Sequence, residues 1–262
     1  MRQPGHVSWG LENGIGRIVL RRAANANALS VQMSRDLAAA IDAVLDAGPR
    51  AVLLAAEGRV FCAGGDIAEF VAAGRELSQL AERSLAVTET AIHRLATAPC
   101  AVVSAVNGPV GGAGIALALC ADFVLGSQSM KLRTGYAAIG LTPDLGTSYF
   151  LARRIGTVRA RQWLMLSDPV EARSCLEAGV IDALHPDDQL LTSANALVNR
   201  LAAMAPAAIA GIKRLCSELE AADLKRHMQL EHEFVIECAR GADAHEGIRA
   251  FVEKRDPRFI GS

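Results

Sequence analysis

Hydrophobic and polar positions along this chain follow two periods, and the alternation between them marks the elements. Ile15–Leu20 is a short run rich in β-branched residues and predicts a strand. Ser30 then stands ahead of a stripe formed by Met33, Leu37, Ile41, Val44 and Leu45, the pattern of a capped helix with one buried face. Ala51–Ala56 and Ala101–Val106 are unbroken apolar runs and predict buried strands, and Asp122–Leu125 predicts another. Between the first two of these, Leu85, Thr88, Ile92 and Leu95 share one helical stripe. Strands alternating with helices at this spacing imply an α/β fold with crossover connections.

From about Leu145 the pattern becomes almost purely helical, with stripes at Leu190, Ala194, Leu197, Val198 and Leu201 and again at Leu224, Met228, Val235 and Cys238. The chain therefore divides into an α/β core over 1–200 and a C-terminal helical region over 201–262. No Gly/Ser-rich or Pro-rich linker separates them, so they are expected to pack on each other. No internal repeat or low-complexity tract is visible.

Composition narrows the function classes. With 51% hydrophobic and 21% charged residues the chain is a folded globule, and 262 residues make one large domain or a domain with a small appendage. Lys and Arg number 27 against 28 Asp and Glu, so no basic field favours nucleic acid, and an anionic ligand must be met locally. No charged residue occurs between Arg94 and Asp122, a stretch long enough to imitate a membrane span. Asn107-Gly108-Pro109 and then Gly111, Gly112 and Gly114 interrupt it, which favours strand, loop and buried helix and argues against a membrane protein. The N-terminus lacks the apolar run of a secretory leader. Six scattered cysteines include no C-x-x-C pair, and Cys62, Cys100, Cys120 and Cys216 sit beside apolar or small residues. They read as reduced core thiols of a cytoplasmic protein, with no metal site.

Chemistry concentrates in three loops that follow strands, where α/β sheets place ligands. In Gly58–Ile67 the Gly64-Gly65 pair lets backbone N–H groups approach a ligand, while Asp66 has the character of a helix N-cap. Asn107–Ala116 is also glycine-rich and leads into an apolar helix, but a dinucleotide fingerprint starting at Gly112 fails at Leu117. Two such loops together can supply convergent N–H donors for an oxyanion. In Gly140–Ser148, Asp144 lies between a proline and an apolar helix start. It reads either as an N-cap or as a desolvated carboxylate suited to proton transfer. His227, Glu231 and His232 match neither zinc signature, H-E-x-x-H nor H-x-x-E-H, and read as a solvated helix face. There is no P-loop and no G-x-S-x-G elbow.

Taken together, the loops resemble the crotonase superfamily, the enoyl-CoA hydratase/isomerase family. The resemblance spans nearly the whole chain: Ala28-Leu29-Ser30, Phe61–Ile67, Asn107 through Gly114 with Leu117, Ala118 and Asp122, Gly140–Pro143 with Gly146, and Glu246–Arg255. It implies a crotonase fold of repeated ββα units with a C-terminal helical trimerisation region, assembling as a homotrimer or a dimer of trimers. It implies an acyl-CoA thioester as substrate and no separate cofactor. The family's oxyanion hole corresponds to the backbone N–H groups of Gly65 and Ala113. Ala24, Ala26, Ala63 and Ile67 fall near positions that touch the CoA moiety, and Lys254 resembles tail lysines that approach it.

Two positions depart from the hydratases of that family. Where they carry glutamates, one to activate water and one to deliver a proton, this chain has Ala116 and Tyr136. Asp144 instead matches the aspartate of the family's isomerases, including dienoyl-CoA and ring-opened phenylacetyl-CoA isomerases. A double-bond shift needs one base, which removes a proton and returns it elsewhere. The reading is therefore an enoyl-CoA isomerase with Asp144 as acid/base and Tyr136 donating a hydrogen bond or filling space. The alternatives are a hydratase with a second acid, for which Glu69, Glu82 and Glu89 are candidates, and a non-catalytic acyl-CoA-binding protein.

Overall fold

The computed structural model describes residues 5–218 and 221–258. Nine strands occur among them: β1 (Val7–Glu12), β2 (Ile15–Leu20), β3 (Ala51–Ala56), β4 (Ala101–Val106), β5 (Val110–Gly111), β6 (Phe123–Ser127), β7 (Lys131–Arg133), β8 (Val170–Glu171) and β9 (Ala183–His185). The helices are α1 (Val31–Asp46), α2 (Ile67–Ala73), α3 (Leu77–Ala96), α4 (Ala113–Leu119), α5 (Thr147–Ile155) and α6 (Thr157–Leu166). They continue with α7 (Ala172–Ala178), α8 (Leu190–Ala202), α9 (Pro206–Glu218), α10 (Ala221–Arg240) and α11 (Ala242–Glu253).

The main sheet has six strands in the order β1-β2-β3-β4-β6-β9, antiparallel between β1 and β2 and parallel thereafter. Asn13 (φ 52°) and Gly14 (φ 77°) make the tight turn between β1 and β2, because two successive left-handed residues match the twist of a two-residue hairpin. A second sheet, β5-β7-β8, braces the loop after β4. The interior parallel strands are covered on both faces, which is why β3 and β4 read as unbroken apolar runs. Val52, Leu54 and Val102 face the larger core with α1, α3 and α4, while Leu53 and Val103 meet α8.

The capped helix foreseen at Ser30 is α1. The Ser30 hydroxyl accepts a hydrogen bond from Met33 N–H at 3.0 Å. Met33, Leu37, Ile41 and Val44 are fully buried, each burial favouring the fold by about 1.5–3 kcal/mol. Among the described residues no single helix is long and apolar enough to cross a membrane; α8 and Pro206–Arg214 reach that length only as a pair bent by 100°.

Two features differ from the sequence reading. The chain beyond Leu145 is not purely helical: β9 completes the main sheet beside β6, and β8 joins the smaller one. Strands of three and two residues are too short to show a period. The C-terminal helices pack on the main core, as the absence of a linker predicts: Leu224, Met228 and Val235 of α10 belong to the same hydrophobic cluster as Leu37 and Leu117. Finally, all six cysteines are free and Cys62, Cys100, Cys120 and Cys175 are buried, but Cys216 is exposed on α9 and Cys238 half-buried on α10.

Candidate active site

The loops leaving β3 and β4 lie backbone against backbone. Phe61 N–H donates to the Pro109 carbonyl at 3.0 Å and Gly111 N–H to the Cys62 carbonyl at 2.9 Å. A Cβ on Gly64 (φ 94°) would come within 2.9 Å of the Gly111 carbonyl oxygen and 3.3 Å of the Ala113 nitrogen, so only glycine fits there. Leu29 N–H donates to the Gly64 carbonyl at 2.7 Å and Asp66 N–H to the Leu29 carbonyl at 3.2 Å, pinning the far side of the first loop. Among the described residues this pairing leaves the N–H groups of Gly65 and Ala113 undonated, at the entrances to α2 and α4. Both residues line a cavity of about 470 Å³. Two free N–H donors beside an apolar cavity can hold a carbonyl oxygen that gains charge.

Side chains that the sequence reading passed over hold this loop. Arg22 pairs with Asp66 at 2.6 Å and also donates to the Ala28 carbonyl at 3.0 Å. Asp66 caps α2, as foreseen, accepting from Ala68 N–H at 3.0 Å and Glu69 N–H at 3.4 Å. Asn27, fully buried with φ 51°, accepts from Arg22 N–H and donates to the carbonyls of Glu57 and Val60. A left-handed Asn with every side-chain bond satisfied has no pattern in sequence beyond its residue type.

The third loop brings Asp144 to the cavity wall. Its carboxyl accepts from the Tyr136 hydroxyl at 2.7 Å, and the same hydroxyl lies 3.0 Å from Thr147 Oγ1. The N-cap reading of Asp144 does not hold: α5 starts at Thr147, and the donors at its N-terminus, Gly146 N–H at 2.5 Å and Ser148 N–H at 3.0 Å, bind the carboxylate of Glu231. The Asp144 side chain is thereby free to face the cavity. Burial pushes its carboxyl up to about 7; the Tyr136 hydrogen bond opposes this and the nearby Glu231 charge adds to it. Burial, and then the Asp144 charge, hold the Tyr136 phenol well above its usual range, so it stays a donor.

Glu231 overturns the reading of His227, Glu231 and His232 as a solvated face. It is 5% exposed and turned inward from α10, with Ser148 Oγ also donating to it. His227 is half-buried and its Nε2 lies 2.6 Å from Ser148 Oγ; hydrogen bonding to Glu231 raises its pKa. His232 meets Glu89 of α3 at 3.3 Å. Burial, with the charges of Asp144 and Glu231, pushes Glu89 up to about 8. A buried acid among polar helix residues gives no periodic signal, and only the packing of α10 on α3 and α5 exposes its role.

Of the remaining candidates, Ala26, Ala63 and Ile67 line the cavity with Gly65, Ala113, Tyr136 and Asp144, whereas Ala24 and Lys254 are exposed and do not. Phe251, one turn before Lys254, does line it. Glu82 is exposed, and Glu69 accepts from Val31 N–H at 2.9 Å, so neither borders the cavity. Ala116 is fully buried inside α4. Among the described residues no cluster of His, Cys, Asp or Glu is placed to hold a metal ion.

The family model for enoyl-CoA hydratase/isomerase matches residues 10–262. The chain is 31% identical over 255 residues to a probable enoyl-CoA hydratase of Rhodobacter capsulatus, covering 97% of this chain and 98% of that one. It is 32% identical over 256 residues to 1,2-epoxyphenylacetyl-CoA isomerase of Escherichia coli, covering 96% and 97%. A crystal structure of an enoyl-CoA hydratase/isomerase from Pseudoalteromonas atlantica superposes with a TM-score of 0.86 at 28% identity, covering 97% of this chain and 100% of that one. Fold, loops and relatives agree that this chain belongs to the enoyl-CoA hydratase/isomerase family, the crotonase superfamily.

Proposed function

We propose that the protein shifts a double bond in an enoyl-CoA thioester, with Asp144 as the single acid/base. The observation that carries this reading is that Asp144 is the one carboxyl group among the described residues lining the cavity. Its carboxylate takes a proton from the carbon next to the thioester of a 3-enoyl-CoA. The C–H electron pair moves into the enolate, whose oxygen is held by the N–H groups of Gly65 and Ala113. The double bond re-forms next to the thioester as the same carboxyl returns the proton to the gamma carbon. A carboxyl near 7 suits both half-steps, because it gives up a proton about as readily as it takes one. Ala26, Ala63 and Ile67 would flank the thioester arm. Lys131 and Arg133, cations at the cavity rather than Lys254, would meet the phosphates. Exposed Val158, Met165 and Leu166 on α6 offer an apolar face for association between copies of the chain, for which the family resemblance implies a homotrimer or a dimer of trimers.

A second reading, hydration of a 2-enoyl-CoA, draws support from Glu89, which burial and its neighbours keep protonated near neutrality but which stands behind the cavity lining and would have to act from there. Offering the purified protein a 3-enoyl-CoA and a 2-enoyl-CoA side by side, with double-bond migration and water addition followed separately, decides between them. Migration without hydration is the expected result. Hydration would establish a second acid and refute the single-carboxyl mechanism.

A further inference from the structure

Beyond the residues that border the cavity, one buried group holds the turn that carries the reacting carboxyl. We propose that Glu231, on the C-terminal helix α10, is a positioning residue for Asp144: it holds the Asp144 turn in place and presents a second carboxylate to it. The inference rests on the reading of Asp144 as the acid/base.

Helix α5 has no side-chain cap of its own, since the residue at its N-cap position is Gly146. The first N–H groups of a helix need acceptors, and here Glu231 supplies them from a helix 85 residues away in sequence, binding Gly146 N–H, Ser148 N–H and the Ser148 hydroxyl. The turn that Glu231 closes contains two successive left-handed residues, Leu145 (φ 52°) and Gly146 (φ 85°). Leu145 resists that conformation, because its Cβ crowds the backbone, and a residue so held persists only where its surroundings over-determine it. Asp144 opens this turn, its carbonyl accepting from Thr147 N–H at 2.8 Å. Releasing Glu231 therefore loosens the backbone that aims Asp144.

Charge gives the arrangement its second effect. A glutamine could accept from only one side, leaving its NH₂ group against an N–H donor, whereas a carboxylate satisfies all three donors. That same carboxylate opposes the ionisation of Asp144. The groups facing Asp144 are Tyr136 from its own loop, Glu89 from α3 and Glu231 from α10; His227 lies behind Glu231, and His232 is paired with Glu89. Of these, Tyr136 favours the carboxylate form and Glu231 disfavours it.

Two variants separate charge from reach. In protein carrying carboxyl-labelled aspartate, with the Asp144 resonance assigned by its loss in D144N, the carbon NMR titration of Asp144 is expected to fall by roughly one pH unit in E231Q. The acid limb of the isomerisation pH profile is expected to fall with it. E231D keeps the charge but withdraws it from the helix end; it should keep the Asp144 midpoint raised and lose roughly 10- to 100-fold in kcat. S148A, which removes one donor and leaves the carboxylate, controls for changes in the hydrogen-bonded shell. An Asp144 midpoint in E231Q within about 0.2 units of the parent would overturn the electrostatic role, and a parental kcat in E231D would overturn the positioning role. If E231Q does not fold, E231D still decides the second point. If D144N keeps the parental rate, the reaction reading fails while the resting-state titration continues to judge Glu231.

Discussion

Replacing Asp144 by Asn tests the mechanism and the energetics of the site at once. The amide oxygen can still accept from Tyr136, so the 2.7 Å bond and the loop are expected to persist. The base is gone, and because one group performs both proton transfers, the loss should lie at the upper end for general acid/base catalysis, roughly 10⁴-fold in kcat. Thioester binding should stay within a few-fold, since the N–H donors of Gly65 and Ala113 are untouched. Stability should change in the opposite direction. A carboxyl raised from 3.8 to about 7 on folding keeps its proton in the native state while the unfolded chain loses it, so native stability falls as pH rises between those values. The full cost above pH 7 has an upper limit of about 4 kcal/mol. Asp144 is half-buried at the cavity wall, and solvent screening of such a group reduces the expected gain in D144N to roughly 1–2 kcal/mol at pH 8 and to nearly nothing at pH 4. Urea denaturation of both proteins at the two pH values, run beside the isomerisation assay, measures each part. A variant that keeps most of its rate would remove Asp144 from the mechanism, and equal stabilisation at pH 4 and pH 8 would refute the buried-carboxyl account.

Other perturbations reach the remaining parts of the site. Ala113 is the first residue of α4, a position where proline is tolerated, so A113P should delete one oxyanion donor and cost roughly 10²–10³-fold in kcat with little change in thermal midpoint. Y136F removes the hydrogen bond that favours the Asp144 carboxylate, and the acid limb of the pH-rate profile should rise above about 7; an unchanged limb would exclude Tyr136 from tuning the base. R22A leaves Asp66 buried without its cation and should lower stability by about 3 kcal/mol in denaturant titrations, with a loss of kcat as the Gly65 loop loosens.

Much of this site was legible residue by residue. The Gly64-Gly65 and Gly112–Gly114 segments announce backbone donors because glycine is what close backbone approach requires, and the structure packs them against each other. Asp144 was visible as a carboxyl in an apolar setting, but its competing role as a helix cap was ruled out only when the cap turned out to be Glu231. Ala24 and Lys254, drawn from resemblance, lie outside the cavity wall, whereas Phe251 of the same C-terminal segment lies within it.

Period and residue type alone determined the elements whose signals are local. A strand buried on both faces must be apolar throughout, as in Ala51–Ala56 and Ala101–Val106, and a helix with one buried face must repeat near 3.6, as in Val31–Asp46. Tertiary structure decided what depends on residues far apart meeting. It brought β9 to the sheet edge, turned Glu231 from an apparent surface residue into a buried cap, and placed Glu89 within the field of Asp144. The physical reason is common to these cases: a hydrogen bond between Gly146 and Glu231 spans 85 residues, and neither partner carries a local pattern that names the other.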